Sequence, residues 1–415
     1  MSANKTGCSR RDFIKITGAA GLASTLLPMG VSEAADDRIY LQGSDERPSV
    51  PKRPFGKTGA HVSILALGGV LKPSDLIVFR QALKMGVTYW DTADSYKWGN
   101  NEKAIGKYFA KFPQDRQKVF LVTKAATSDP QTLTEKLNTS LERMNTAYVD
   151  LYMIHYVSDV AQELTDAVRA WAQKAKADGK IRLFGFSAHK NMDKSMLAAA
   201  KLGWIDGIMM SYNYRLMVKE RMQKAVAACV KAGIGLTAMK TQAAFSANLY
   251  AKIGSETDDA LKMTEKFLAK GYTAEQAKLK AVWENPNISS ICSAMSNMTI
   301  LKANAAAAVN NRQLSRGDKQ RLALYAQKTA GGYCAGCTDI CESAVDADIP
   351  IGDIMRYSMY FHDYGDMEAA AHHFNNLPPH VKDSILAADY SKAEKTCPQK
   401  IAIAKVLRKL HEDLA

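Results

Sequence analysis

Eight short apolar runs recur between residues 63 and 291, each followed by a segment with helical periodicity. The runs are Ser63–Leu67, Val87–Trp90, Val119–Thr123, Leu151–Ile154, Arg182–Phe186, Gly207–Met210, Gly235–Ala238 and Ser289–Ile291. Between them Leu133, Leu137, Leu141 and Met144 share one helical face, as do Val168, Trp171, Ala172 and Ala175. Gly86, Gly179, Gly203 and Gly233 stand just before the next run, where a helix end turns left-handed. Strand–helix alternation demands a parallel sheet, and eight such units in about 250 residues fit one closed barrel. An open doubly wound sheet would carry a Gly-rich phosphate turn after its first strand. That strand ends instead in Ala66-Leu67-Gly68-Gly69-Val70, not G-x-G-x-x-G. The expected fold class is α/β, a (β/α)8 TIM barrel over residues 52–311, followed by a mainly helical C-terminal extension over 312–415.

A parallel barrel gathers its chemistry at the carboxyl ends of its strands. The second strand ends in Asp91-Thr92-Ala93-Asp94-Ser95-Tyr96, the third in Thr123-Lys124 and the fourth in Ile154-His155. An Asp, a Tyr, a Lys and a His therefore converge on one mouth. Proton delivery to a carbonyl oxygen uses such a set. A phenol of pKa ~10 is a weak acid at neutral pH, and a neighbouring ammonium lowers that value. Asp91 orients Lys124, and His155 tunes the phenol or donates to the substrate oxygen. Asp94 reads as a loop-capping acid rather than a second Asp91.

These segments resemble the aldo-keto reductase family. The resemblance rests on Asp91-Thr92-Ala93-x-x-Tyr96 with Glu102 and Gly106, Thr123-Lys124, Asp150-Leu-Tyr-Met-Ile-His155 and Gly179-Lys180-Ile181-Arg182. Arg53-Pro-Phe-Gly-Lys-Thr-Gly59 resembles the hairpin that closes the bottom of that barrel. The resemblance runs from about residue 52 to about 305 and implies that Asp91, Tyr96, Lys124 and His155 form a catalytic tetrad, with NADP(H) supplying the hydride. It also implies nicotinamide contacts from Ser187, Met209 and Lys240, and adenosine-side contacts from Ser296 and Asn304. Ser187-Ala188 stands where the family has Ser-Asn, Met209 where it has Gln, and Met239-Lys240 where a Tyr often stacks. Ala294-Met295-Ser296-Asn297 through Asn304 is similar to its Gly-x-Ser-Asn…Asn run, with Lys302 the nearest base.

Beyond residue 312 the alternation stops and the chain reads as helical. Cys334-x-x-Cys337-x-x-x-Cys341 opens this extension, and Cys397-Pro398 nearly closes it. Thiolates so spaced, with a distant Cys-Pro, suit one [4Fe–4S] cluster. Four thiolates also suit tetrahedral zinc, and an oxidising compartment favours disulfides. The whole extension is similar to that of aldo-keto reductases carrying ferredoxin-like cysteine clusters, with Ile340 and Ala344 where two further cysteines would fall. Cys229 and Cys292 stand apart, in a barrel helix and a barrel strand. His362, His372 and His373 read as solvated, because no pair stands four apart on one helix face.

Residues 1–35 read as an export signal, not as part of the fold. Ser9-Arg10-Arg11-Asp12-Phe13 precedes a short, weakly apolar run, Ile16 to Val31, and small residues at Ala34 and Ala35. The run is too short and too rich in Gly, Ala, Ser and Thr for a ~20-residue membrane span. The signal resembles those read by the twin-arginine export machinery, which carries proteins already folded, so the expected location is periplasmic or otherwise extracytoplasmic. Folded export favours the cluster among the three readings of the cysteines. Residues 36–51 form a linker. The net charge of +13 is spread along a 45.5 kDa chain with no dense basic block, so nucleic acid is not an expected partner. Two functions remain open. One is an exported oxidoreductase acting on a small carbonyl/alcohol pair, with an electron-carrier protein as a further partner. The other is an exported iron–sulfur electron-transfer or accessory protein with a residual tetrad.

Overall fold

The computed structural model describes residues 48–243 and 272–414, apart from 70, 73 and 311. The export signal at 1–35, and the linker up to residue 47, lie outside the described residues. The first two strands, β1 (Lys52–Pro54) and β2 (His61–Ser63), pair antiparallel, with Arg53 opposite Val62. Eight parallel strands follow: β3 (Leu65–Leu67), β4 (Tyr89–Asp91), β5 (Phe120–Ala125), β6 (Val149–Ile154), β7 (Ile181–Ala188), β8 (Gly207–Ser211), β9 (Gly235–Met239) and β10 (Ser290–Ser293). They close in sequence order, and β10 pairs with both β3 and β9. Each of the eight expected runs holds one barrel strand.

The helices between them include α1 (Leu76–Lys84), α2 (Asn100–Lys111), α3 (Pro130–Arg143), α4 (Asp166–Ala177), α5 (Met192–Ala199), α6 (Glu220–Ala232), α7 (Ala274–Trp283) and α8 (Met298–Val309). Their apolar faces and the outward strand residues make one buried layer, including Trp90, Tyr152, Ile208 and Met210. The inward residues make a second, smaller core of Phe55, Val62, Ala66, Tyr89, Val122, Leu151, Met153 and Met209. Such a barrel is filled rather than hollow. Phe55, from the β1–β2 turn, fills its bottom. A Cβ at Gly207 or Gly235 would come within 2.7 or 2.5 Å of the Phe55 ring, so glycines there make room for it. Arg53 fastens the same hairpin to the barrel by donating to the carbonyls of Trp283, Asn285 and Ile288 at 2.6, 3.1 and 2.9 Å.

The extension is helical, as expected: α9 (Arg316–Lys328), α10 (Ile351–His362), α11 (Met367–Asn375), α12 (Pro379–Ala387) and α13 (Ile403–Leu414), with short turns of helix at Thr338–Cys341 and Ser391–Thr396. It has its own core, built on Ile351, Ile354, Phe374, Ile385, Leu407 and Leu410, with Cys397 buried in it. It docks on the carboxyl ends of the barrel strands through opposite charges. Asp339, Asp353 and Asp366 of the extension meet Lys194, Lys190 and Lys97 of the barrel at 2.8, 2.7 and 2.9 Å. Tyr333 enters between the barrel loops, where the Asn213 side-chain amide donates to its hydroxyl at 2.8 Å and the Arg215 guanidinium lies over its ring.

Candidate active site

The tetrad residues meet where the sequence places them. Asp91 ends β4, Lys124 lies on β5 and His155 directly follows β6. Lys124 is fully buried and donates to Asp91 Oδ1 at 2.6 Å and to the Thr92 carbonyl at 2.7 Å. Tyr96 stands on the loop after β4, with its ring centroid 5.7 Å from that of His155 and 5.1 Å from Lys124 Nζ. The two residues after Tyr96, Lys97 and Trp98, both take left-handed φ (50° and 55°). This loop is held from outside by the Lys97–Asp366 pair.

The electrostatics differ from the expectation of a phenol made more acidic by lysine. Burial, followed by the Asp91 carboxylate, pushes the Tyr96 phenol well above its usual value of 10. The Lys124 charge is already matched by Asp91, so it is not free to draw out the phenolate. Tyr96 is thereby a protonated hydrogen-bond donor throughout the neutral range. Asp91 itself is raised by burial, against which the Lys124 ammonium and a hydrogen bond with Cys292 act. Cys292, read from sequence as standing apart, thus touches the tetrad. Behind them Glu102 is buried, accepting from Thr123 Oγ1 at 2.7 Å and from Arg143 Nη1 at 3.2 Å. Asp94 pairs with Lys136 rather than with the tetrad.

His155 is buried, stacked on Tyr156 at 3.6 Å between ring centroids, and its Nδ1 has no partner. Burial, then the Lys124 charge, holds its imidazole well below the usual pKa of 6.5. His189 is lowered in the same way, first by burial and then by Lys240. Both are neutral at pH 7, and the unfolded chain takes up their protons first. Each should therefore stabilise the fold above pH ~6.5 and withdraw about 1.4 kcal/mol per pH unit as the pH falls below it. Urea denaturation at pH 7.5 and 5.5 should show this loss, and it should shrink by about half in His189→Asn. Equal stability at both pH values would contradict the assignment.

The remaining candidates divide. Lys240, at φ 55° just after β9, lines a cleft of about 70 Å³ between the barrel mouth and the extension. Loss of hydration, and then the Arg356 charge, bring its ammonium pKa down to about 7. Ser187 is buried and its Oγ accepts the Tyr156 backbone N–H at 3.2 Å, leaving its own proton to give. Met209 points into the barrel interior, buried among Phe55, Ala66 and Met153. Alternation along β8 gives the mouth position to Ser211, two residues on, which lines the cleft. Asn304 is also turned away, buried and donating to Ser293 Oγ at 3.1 Å, while Ser296 is exposed at the rim.

The sequence reading missed the contribution of α10. Arg356 lies over the Tyr156 ring at 4.8 Å, and Tyr360 lies close enough to Tyr96 and Tyr156 to raise both phenols. His373 is not solvated; it stacks on Tyr357 at 5.2 Å. His362 is buried beside Asp413 at 3.5 Å, so only His372 fits the solvated reading. No spacing rule connects α10 to β6, because the contact spans two hundred residues.

Cys334, Cys337, Cys341 and Cys397 line one cavity of about 20 Å³ whose other walls are mainly apolar. All four are free thiols. Burial raises Cys334, Cys337 and Cys341, and neighbouring cysteines add to the rise of each. Among the described residues no three His, Cys, Asp or Glu side chains close on a single ion. Cys334 also lines the Lys240 cleft, so it forms a wall between the two cavities.

The sequence profile of the Aldo/keto reductase family matches residues 66–318, more than half of the chain. An aldo-keto reductase of Fusarium vanettenii is 24% identical over 363 residues, covering 71% of this chain and 96% of its own. Among solved structures, the holo form of an aldo-keto reductase from Bacillus halodurans superposes with a TM-score of 0.55 at 23% identity, covering 66% of this chain and 96% of its own. An aldo-keto reductase from Klebsiella pneumoniae in complex with NADPH gives 0.52 at 21% identity, over 67% and 95% of the two chains. At such identities the structures establish the fold.

Proposed function

This chain belongs to the aldo/keto reductase family, and on that premise we propose that it interconverts a small carbonyl compound and its alcohol, with Tyr96 as the proton donor. The convergence of Tyr96, Lys124, Asp91 and His155 on one mouth carries the reading. In reduction, a hydride reaches the carbonyl carbon while the Tyr96 hydroxyl gives its proton to the oxygen, so two electrons and two hydrogens are accounted for. Neutral His155 offers a second hydrogen bond to that oxygen. Lys124, paired to Asp91, fixes the floor under the phenol and supplies a fixed dipole rather than a mobile proton.

NADP(H) would supply the hydride. The residues fit it at two points: Ser187 keeps a hydroxyl proton for the carboxamide, and Ser296 is exposed at the rim. A [4Fe–4S] cluster would supply one-electron transfer at the four cysteines. Their convergence around one cavity, and the backbone N–H of Gly336 bonded to Cys334, support that group. The wall shared at Cys334 puts the cysteine cavity next to the cleft. The second reading is that the cluster alone carries the function. Anaerobic purification with visible spectra, iron and sulfide assays and nicotinamide binding separates the two. Carbonyl-dependent NADPH oxidation supports the reductase; a coloured protein that binds no nicotinamide supports the accessory role.

Export rests on Ser9-Arg10-Arg11-x-Phe13. No described helix is long and apolar enough to cross a membrane. Replacing Arg10 and Arg11 together by Lys should leave uncleaved precursor in the cytoplasm, read by fractionation and N-terminal mass spectrometry. Undisturbed export of the double variant would remove the twin-arginine assignment.

A further inference from the structure

The cleft between the barrel mouth and the extension has a donor set that the tetrad chemistry does not use. Lys240, from the end of β9, makes no ion pair among the described residues, and its Nζ lies 5.6 Å from the Tyr360 ring centroid. Arg356, from α10, has 11% of its side chain exposed and pairs through Nη2 with Asp353 at 2.9 Å. Its Nε is buried and has no partner. Ser358 is 97% buried and its Oγ has no partner, and the same holds for His189 Nδ1 at the barrel wall. His189, Lys240, Arg356 and Ser358 all line this one cleft. Buried polar atoms seldom go unpaired, and when several converge on an open space a ligand with matching lone pairs satisfies them together.

The charge balance selects the ligand. Asp353 is shared between Arg356 and Lys190, and Asp363 also lines the cleft. Of the residues lining the cleft, Lys240 and Arg356 are basic and Asp363 is acidic, and an anion placed between the two bases favours the charged form of Lys240. Ionised oxygens bind such donors about twice as strongly as neutral ones. The cleft also lies beside the chemistry: Arg356 covers Tyr156, Tyr156 stacks on His155, and the His189 ring is 6.2 Å from that of His155.

We propose that this cleft binds an oxyanion between Lys240 and Arg356, and that the oxyanion is the carboxylate of the carbonyl or alcohol substrate. The proposal deepens the reductase reading and rests on it for the reacting group. The specificity of the site would then come from α10 of the extension, with the barrel supplying the reaction.

The test uses the full-length exported protein and its Arg356→Gln, Arg356→Lys and Lys240→Gln variants. Benzoate and inorganic pyrophosphate serve as calorimetric probes, and 4-carboxybenzaldehyde and benzaldehyde as substrates. Benzoate binding should weaken at least about tenfold in Arg356→Gln and Lys240→Gln and recover partly in Arg356→Lys. In Arg356→Gln the KM for 4-carboxybenzaldehyde should rise by the same factor while that for benzaldehyde stays within about twofold. Circular dichroism, and the partial recovery by lysine, separate this result from misfolding. Benzoate binding equal in all four proteins would overturn the proposal. It would also be overturned if pyrophosphate bound more tightly than benzoate, and the variants lost NADPH affinity while both KM values moved together. The site would then hold a dinucleotide phosphate. If wild type reduces neither aldehyde yet benzoate binding still follows the variants, the oxyanion site stands and the reductase reading falls.

Discussion

Tyr96→Phe should lower kcat for carbonyl reduction by about 10²–10⁴-fold, with KM changed by less than about threefold. The substitution removes one oxygen from a ring held by its neighbours. His155 lies against the ring edge, and Lys97 is anchored to Asp366, so the loop keeps its path. Because the phenol is pushed up rather than down, no Tyr96 ionisation should appear in the kcat profile between pH 6 and 8. Single-turnover measurements with NADPH and an aldehyde read the chemical step directly. Equal turnover in wild type and variant would remove Tyr96 from the reaction. Lys124→Met is a poorer probe of the same role. It leaves Asp91 buried without its cation, which typically costs about 3–5 kcal/mol, so lost activity would be mixed with lost stability.

Cys337→Ser and Cys397→Ser should each abolish the visible absorption and iron content of anaerobically purified protein, or reduce both by more than about half. The two residues come from opposite ends of the extension. Cys337 leads into the short Thr338–Cys341 helix, and Cys397 ends the Ser391–Thr396 turn. They share a cavity only because α10 to α12 fold back between them. Cys397 sits in the extension core, so loss of the group it holds should also loosen α13, seen as a lower melting temperature. The tetrad lies in a different core, so NADPH-driven turnover should survive better than turnover with a one-electron donor. Four sulfurs found as two disulfides, in protein kept free of oxygen, would overturn the cluster.

The barrel could be read from sequence because its signals are local. Each strand is a short apolar run, each helix repeats at 3.6 residues, and Gly86, Gly179, Gly203 and Gly233 take the left-handed φ of helix ends. The tetrad could be read for the same reason, since the strand ends that carry Asp91, Lys124 and His155 are fixed by those runs. The nicotinamide side was less legible. Met209 and Ser211 share one face of β8, and only their depth along the strand separates the packed interior from the cleft wall. Asn304 donates to Ser293, a contact between the end of β10 and α8 that residue type alone does not announce.

The sequence by itself determined the (β/α)8 alternation, the four residues at the mouth and the four-cysteine spacing, because each depends on residues near in the chain or on strand ends that a closed barrel must bring together. Only the tertiary structure decided what surrounds them. It set the sign of the Tyr96 shift, since burial and a matched Lys124–Asp91 pair outweigh the nearby ammonium. It brought Arg356 over Tyr156 and Tyr360 close to Tyr96, and placed Cys334 between two cavities. These are effects of desolvation and of contacts between residues far apart in the chain, and neither leaves a periodic trace in the order of amino acids.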